Sequence, residues 1–203
     1  MTFADGSPLD AAAVKANFAA IVALGARAQL AGTYLAGLES VEVLGPLSVR
    51  VSFKQANAQF LQASSTMSLG LLSPATLKLS AEERCQGALL GSGPFTVKSF
   101  EHNRLVRIEA RPDYNWPSSL AGHQGRAWLD AIEFHILPES GVRLGSLLSA
   151  QIDVNTSVPV QDEAVLEAQG VPSINRPNPG IVFSLTPNPV SYTHLTLPTN
   201  REV

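Results

Sequence analysis

Residues 90–116 constrain this chain more than any other stretch. They read Leu-Gly-Ser-Gly-Pro-Phe-Thr-Val-Lys-Ser-Phe, then Glu-His-Asn-Arg, then Leu-Val-Arg-Ile-Glu-Ala-Arg-Pro-Asp-Tyr-Asn-Trp. Gly91-Ser-Gly-Pro94 reads as a tight turn that uses the freedom of glycine at positive φ. Phe95 to Phe100 alternates apolar and polar residues, the pattern of a half-buried strand. His102-Asn103 supplies a short connection, and Leu105 to Ala110 forms a second strand, so the two make a hairpin. Arg111-Pro-Asp-Tyr-Asn-Trp116 closes the unit. Tyr114 and Trp116 are expected to anchor the hairpin's end in the core, with phenol O–H and indole N–H partnered.

The remaining segments predict a mixed α/β chain. Thr2-Phe3 reads as the end of a strand and Asp5-Gly6 as a turn. Asp10 is a good N-cap for a helix over 11–24, with Val14, Phe18, Ile21 and Val22 as its apolar stripe and Gly25 as its stop. Residues 26–37 lack a clear period and predict a loop or a weak short helix. Val41–Leu44 and Val49–Phe53 predict a second hairpin around Gly45-Pro46. Ala58–Ser64 predicts a short helix. Ser68 to Pro74 is an apolar segment ending at proline, and Ser80-Ala-Glu-Glu83 has the form of a capping box. Ala131–Leu137 predicts a strand with Ile132, Phe134 and Ile136 on one side. Helices are predicted over 139–150, with Val142, Leu147 and Leu148 inward, and over 161–169, stopped by Gly170. Short strands are predicted at 152–154, 171–175 and 181–186.

Chemistry-bearing residues are sparse. The histidines, His102, His123, His135 and His194, show no H-x-x-x-H or H-E-x-x-H spacing, so no metal or other cofactor is expected. No G-x-S-x-G elbow is present. Gly91-Ser-Gly-Pro94 lacks the Lys-Ser/Thr of a phosphate loop and precedes a strand, not a helix. The lone Cys85 reads first as a small buried apolar residue. Nothing therefore favours an enzyme. A net charge of −3 without a basic run argues against nucleic acid as a partner. Charged residues make up only 15%, below the usual quarter, so more of this surface is expected to be covered than an isolated domain would allow. The longest apolar stretch, Phe18–Leu24, is far short of the roughly 20 residues of a membrane span.

Three ordered blocks resemble one family. Residues 91–116 are similar to its G-T-G-P-Y/F turn, two strands and R-N-P-D-Y-W close. Phe3-Ala-Asp-Gly-Ser-Pro to Phe18 is similar to its F-x-D-G-x-P-x-x-A-x-x-V-x-x-x-F block. Leu129–Asp153 resembles its strand–helix–G-x-I-D unit, except that Ala150 stands where the family has glycine. The family is that of the large extracytoplasmic solute-binding proteins of ABC importers, family 5, which bind dipeptides, oligopeptides and nickel.

The resemblance implies a periplasmic-binding-protein type II fold, present in part as the first lobe with its extra subdomain and without the second lobe. Residues 1–88 would belong to the extra subdomain and 89–189 to the main α/β domain of the first lobe. Residues 190–203 depart from the pattern and are expected to be a non-native or disordered tail. Met-Thr-Phe-Ala-Asp-Gly is not an export leader, so the chain is expected to be an internal piece of an exported protein. The implied function is capture of peptides or peptide-like solutes outside the cytoplasm, for delivery to an ABC permease, by a protein that is monomeric at full length. Candidate cleft residues are Ser68, Leu69, Gly70, Phe183 and Ser184. A ligand-sensing domain of a regulator built on the same fold is the alternative, and metal chelates, sugars and opines remain open as solutes.

Overall fold

Residues 1–175 are described in the computed structural model of the chain. They fall into two compact units, one over Met1–Glu139 and one beginning at Ser140. The predicted strand at 181–186, Phe183 and Ser184, and the tail at 190–203 lie outside the described residues.

In the first unit the Asp10 carboxylate accepts the Ala13 N–H at 2.8 Å and starts helix α1, Ala11–Leu24. Gly25 ends it at φ 55°, a conformation that favours glycine. Phe18 is buried on Leu35, Ala63 and Leu69, with Val14 and Ile21 packed beside it. The Phe18 ring meets Phe60 edge-on at 6.1 Å. Val22 does not share this stripe and is exposed. It lies about 100° round the helix from Ile21, at the edge of the buried face. Residues 26–37 form a 3-10 turn, Gly25–Arg27, and a short helix α2, Gln29–Tyr34.

Strands β1, Leu38–Gly45, and β2, Ser48–Phe53, form the expected hairpin, with Val41 opposite Val51 and Val43 opposite Val49. Its tip is tied to the start of α1, since Pro46 O accepts the Ala11 N–H at 2.9 Å. Helix α3, Phe60–Ser64, follows. Ser73-Pro74 then opens a helix absent from the sequence reading, α4, Pro74–Leu77. Ser73 Oγ accepts the Thr76 N–H at 3.2 Å, and proline at the first helical position has no N–H to satisfy. Helix α5, Ala81–Cys85, carries both halves of the predicted capping box between Ser80 and Glu83. Cys85 itself is exposed, not buried as expected.

Strands β3, Phe95–Glu101, β4, Leu105–Ala110, and β5, Ala131–His135, make an antiparallel sheet in that order. Asn103 turns the β3–β4 corner at φ 56°, which asparagine tolerates better than most residues. Val106 lies opposite both Phe100 and Phe134, and Ile108 opposite Val97 and Ile132, so one face is apolar. Phe134 keeps 49% of its surface exposed, so the far end of that face is only half covered. The other face is charged: Arg107 bridges Glu109 and Glu133, Lys98 lies 3.7 Å from Glu109, and His135 lies 3.3 Å from Glu133. Thr2-Phe3 is not a strand end but makes one bridge, Thr2 to Pro8.

The second unit holds α6, Ser140–Leu148, and α7, Val160–Ala168. In α6, Val142 and Leu148 are exposed, contrary to expectation, while Leu147 is part-buried. Both helices end in the same motif. Gly170, at φ 70°, donates its N–H to Glu167 O, and Val171 N–H reaches back to Leu166 O. Ala150, at φ 57°, donates to Leu147 O, and Gln151 N–H reaches back to Ser146 O. This is a Schellman ending, whose left-handed position suits glycine. The motif also explains why 152–154 and 171–175 are not strands. The N–H groups of Ile152 and Val171 are drawn back into the helix ends, at 3.3 and 3.0 Å.

An alanine in the left-handed region costs about 1 kcal/mol relative to glycine. Ala150→Gly should therefore stabilise the end of α6 by about 1 kcal/mol, read as slower amide exchange at Gln151 and Ile152. Unchanged or faster exchange would show that Ala150 is not strained.

Candidate functional site

The predicted cleft segment begins at Thr66 with a 3-10 turn over Met67–Leu69. Gly70 N–H closes it on Met67 O at 3.1 Å. Leu69 is only 3% exposed and packs on Phe18, Leu35 and Ala63, so its side chain belongs to the core. Ser68 is part-buried and Gly70 exposed, so these two turn atoms outward. A Cβ on Gly70 would come within 3.1 Å of Met67 O, so a larger residue there needs the turn to give by a few tenths of an ångström. Met67 projects beside them, 97% exposed. Two open depressions lie nearby. One, of about 510 Å³, is lined mainly by residues 54–59 with Ala36 and Gly37. The other, of about 210 Å³, is lined by Tyr34, Gln59, Gln62, Ala63 and Thr66. Ser68–Gly70 lines neither. Lys54 is the one charged residue among their lining residues.

What holds this segment in place was not read from the sequence. Asn17, buried on α1, clamps Leu72 from both sides. Its amide N–H₂ donates to Leu72 O at 2.9 Å and its carbonyl accepts the Leu72 N–H at 2.8 Å. The same amide donates to Ala13 O at 2.9 Å. Ser73 is fully buried, and Thr76 Oγ1 accepts the Leu90 N–H at 3.1 Å. An asparagine inside an apolar helix was the available signal.

Leu90 leads into the Gly91-Ser-Gly-Pro94 turn. Neither Gly91 nor Gly93 has a left-handed φ, and a Cβ on either would meet open space. The run is not the positive-φ turn expected of it. It works through its carbonyls. Leu90 O accepts Ser73 N–H at 2.8 Å, Gly91 O accepts Ala4 N–H at 3.0 Å, and Pro94 O accepts Arg111 N–H at 2.8 Å. Ser92 O accepts the Trp116 indole N–H at 3.0 Å. Tyr114 OH reaches Trp116 O at 3.4 Å, so both aromatic polar groups are partnered as expected.

Arg111 is 4% exposed and fully engaged. Its guanidinium donates to Thr2 O at 3.0 Å, to Thr2 Oγ1 at 3.1 Å and to Asp113 at 2.7 Å, and lies 5.2 Å from the Trp116 ring centre. The Arg111 hydrogen bond holds the Asp113 carboxyl below its usual range. Asp5 is also lowered, chiefly by the Ser7 hydroxyl and N–H. None of these groups is arranged for catalysis: they are spent on one another. Among the described residues no three His, Cys, Asp or Glu side chains could hold a metal, and no helix is long and apolar enough to cross a membrane.

Over residues 1–201 the chain matches the family described as bacterial extracellular solute-binding proteins, family 5 Middle. The chain belongs to this family. Its members are binding proteins and not enzymes. A curated relative is the probable D,D-dipeptide-binding periplasmic protein DdpA of Escherichia coli K12, 27% identical over 82% of this chain and 31% of that protein. Among solved structures, AgaA from A. tumefaciens R10 in complex with agropinic acid superposes with a TM-score of 0.70 at 20% identity, over 82% of this chain and 32% of that one. The oligopeptide-binding protein AppA of Bacillus subtilis with a nonapeptide gives 0.63 at 23% identity, over 82% and 32%. These likenesses establish the fold, part of a periplasmic-binding-protein architecture. The chain spans about 31% of the length of DdpA.

Two substitutions test the scaffold. Asn17→Ala leaves both polar groups of Leu72 without their partner, at about 2 kcal/mol, and should lower the urea midpoint accordingly. A midpoint unchanged within error would mean that water replaces the amide. Arg111→Met strips Thr2 O of its donor and should cost about 2 kcal/mol in the same measurement. Asp113 adds a pH dependence. Its carboxyl is lowered on folding, so its stabilisation is present above the unfolded value, near 3.9, and is lost as pH falls through the lower folded value. Asp113→Asn should flatten the acid limb of stability below about pH 4, and an unaltered limb would rule that contribution out.

Proposed function

We propose that this chain is part of the solute-binding component of an ABC importer, one that captures peptides or peptide-like solutes and hands them to a membrane permease. Family membership over residues 1–201 carries the binding role. The choice of peptides is supported by its relatives, among them a probable D,D-dipeptide-binding protein and an oligopeptide-binding protein. Their extracytoplasmic setting is proposed for this chain too, with the whole protein acting as a monomer.

In this reading residues 1–88 form the extra subdomain and 89–189 the main part of one lobe, with the opposing lobe contributed by sequence beyond the matched third. A solute that touches both lobes favours the closed form, and the permease responds to that form. Peptides suit such a cleft because their backbone offers the same donors and acceptors whatever the side chains, while hydrated pockets tolerate variety. The part assigned to this chain is Ser68 and Gly70, which turn atoms outward, with Leu69 between them, together with Phe183 and Ser184. Leu69 contributes by fixing that segment to the core.

One lobe encloses one side of a ligand, whereas tight sites bury roughly 70–90% of ligand surface. Calorimetric titration with a panel of di- and tripeptides should therefore give no binding tighter than millimolar for the 203-residue chain, and micromolar binding for a parent chain of the relatives' length. Micromolar binding by the 203-residue chain alone would defeat the two-lobe reading. A parent chain that ignores every peptide but binds a nickel chelate or an opine would move the solute class and leave the binding role in place.

A further inference from the structure

We draw no further inference here: the strongest candidate, the apolar face of the three-stranded sheet around Val106 and a half-exposed Phe134, is left part-exposed and nothing in the structure shows what covers the rest of it.

Discussion

The backbone carbonyls of Leu90–Pro94 are what the first unit depends on. Four of the five accept a hydrogen bond, and the donors come from three places in the chain: Ala4, Ser73, and the segment that carries both the Arg111 N–H and the Trp116 indole. A short connector thereby holds the N-terminal segment, the start of α4 and the close of the β3–β4 hairpin at once. Buried backbone groups must find partners, and here the partners are also the links between elements. The glycines at 91 and 93 are not there to reach an unusual φ. Their role is compatible with any small residue that leaves the carbonyls in reach, and the structure offers no steric reason for glycine.

Two of the buried polar residues, Asn17 and Arg111, behave in the same way. Asn17 gives Leu72 the pair of bonds a neighbouring strand would give, so the Gly70–Ser73 segment can be extended without belonging to a sheet. Arg111 gives Thr2 the donors it lacks and is balanced by Asp113. In both cases a polar side chain satisfies main chain, and none is left over for chemistry.

Legibility followed sequence distance. Asp10, the Ser80–Glu83 box, Gly170 and the alternation of β3 and β4 are local signals, and each formed what it announced. Ser73-Pro74 was also local but was read as the end of an apolar run, when serine before proline is the start of a helix. Asn17 and Arg111 were opaque because their partners lie 55 and 109 residues away. The predicted strands at 152–154 and 171–175 failed for a related reason: strand propensity needs a partner, and the helix ends captured the N–H groups of Ile152 and Val171 first. Leu69 shows the limit at the candidate site, since a leucine before Gly70 reads alike whether it faces solute or core. Its membership in the Phe18 cluster is a property of packing.

The bond from Arg111 to Thr2 spans 109 residues, and that span has a consequence in time. Closing a flexible loop of this length costs on the order of 4 kcal/mol in chain entropy by the logarithmic law, more than these few hydrogen bonds return unless the hairpins between them have already shortened the path. During synthesis the ends are also separated by the ribosome's pace. At 5–20 residues per second, Thr2 waits roughly 5–20 s before Arg111 is made. Phe3, which is fully buried in the folded chain, stands between Thr2 and Ala4, whose partners Arg111 and Gly91 are made only late in that interval.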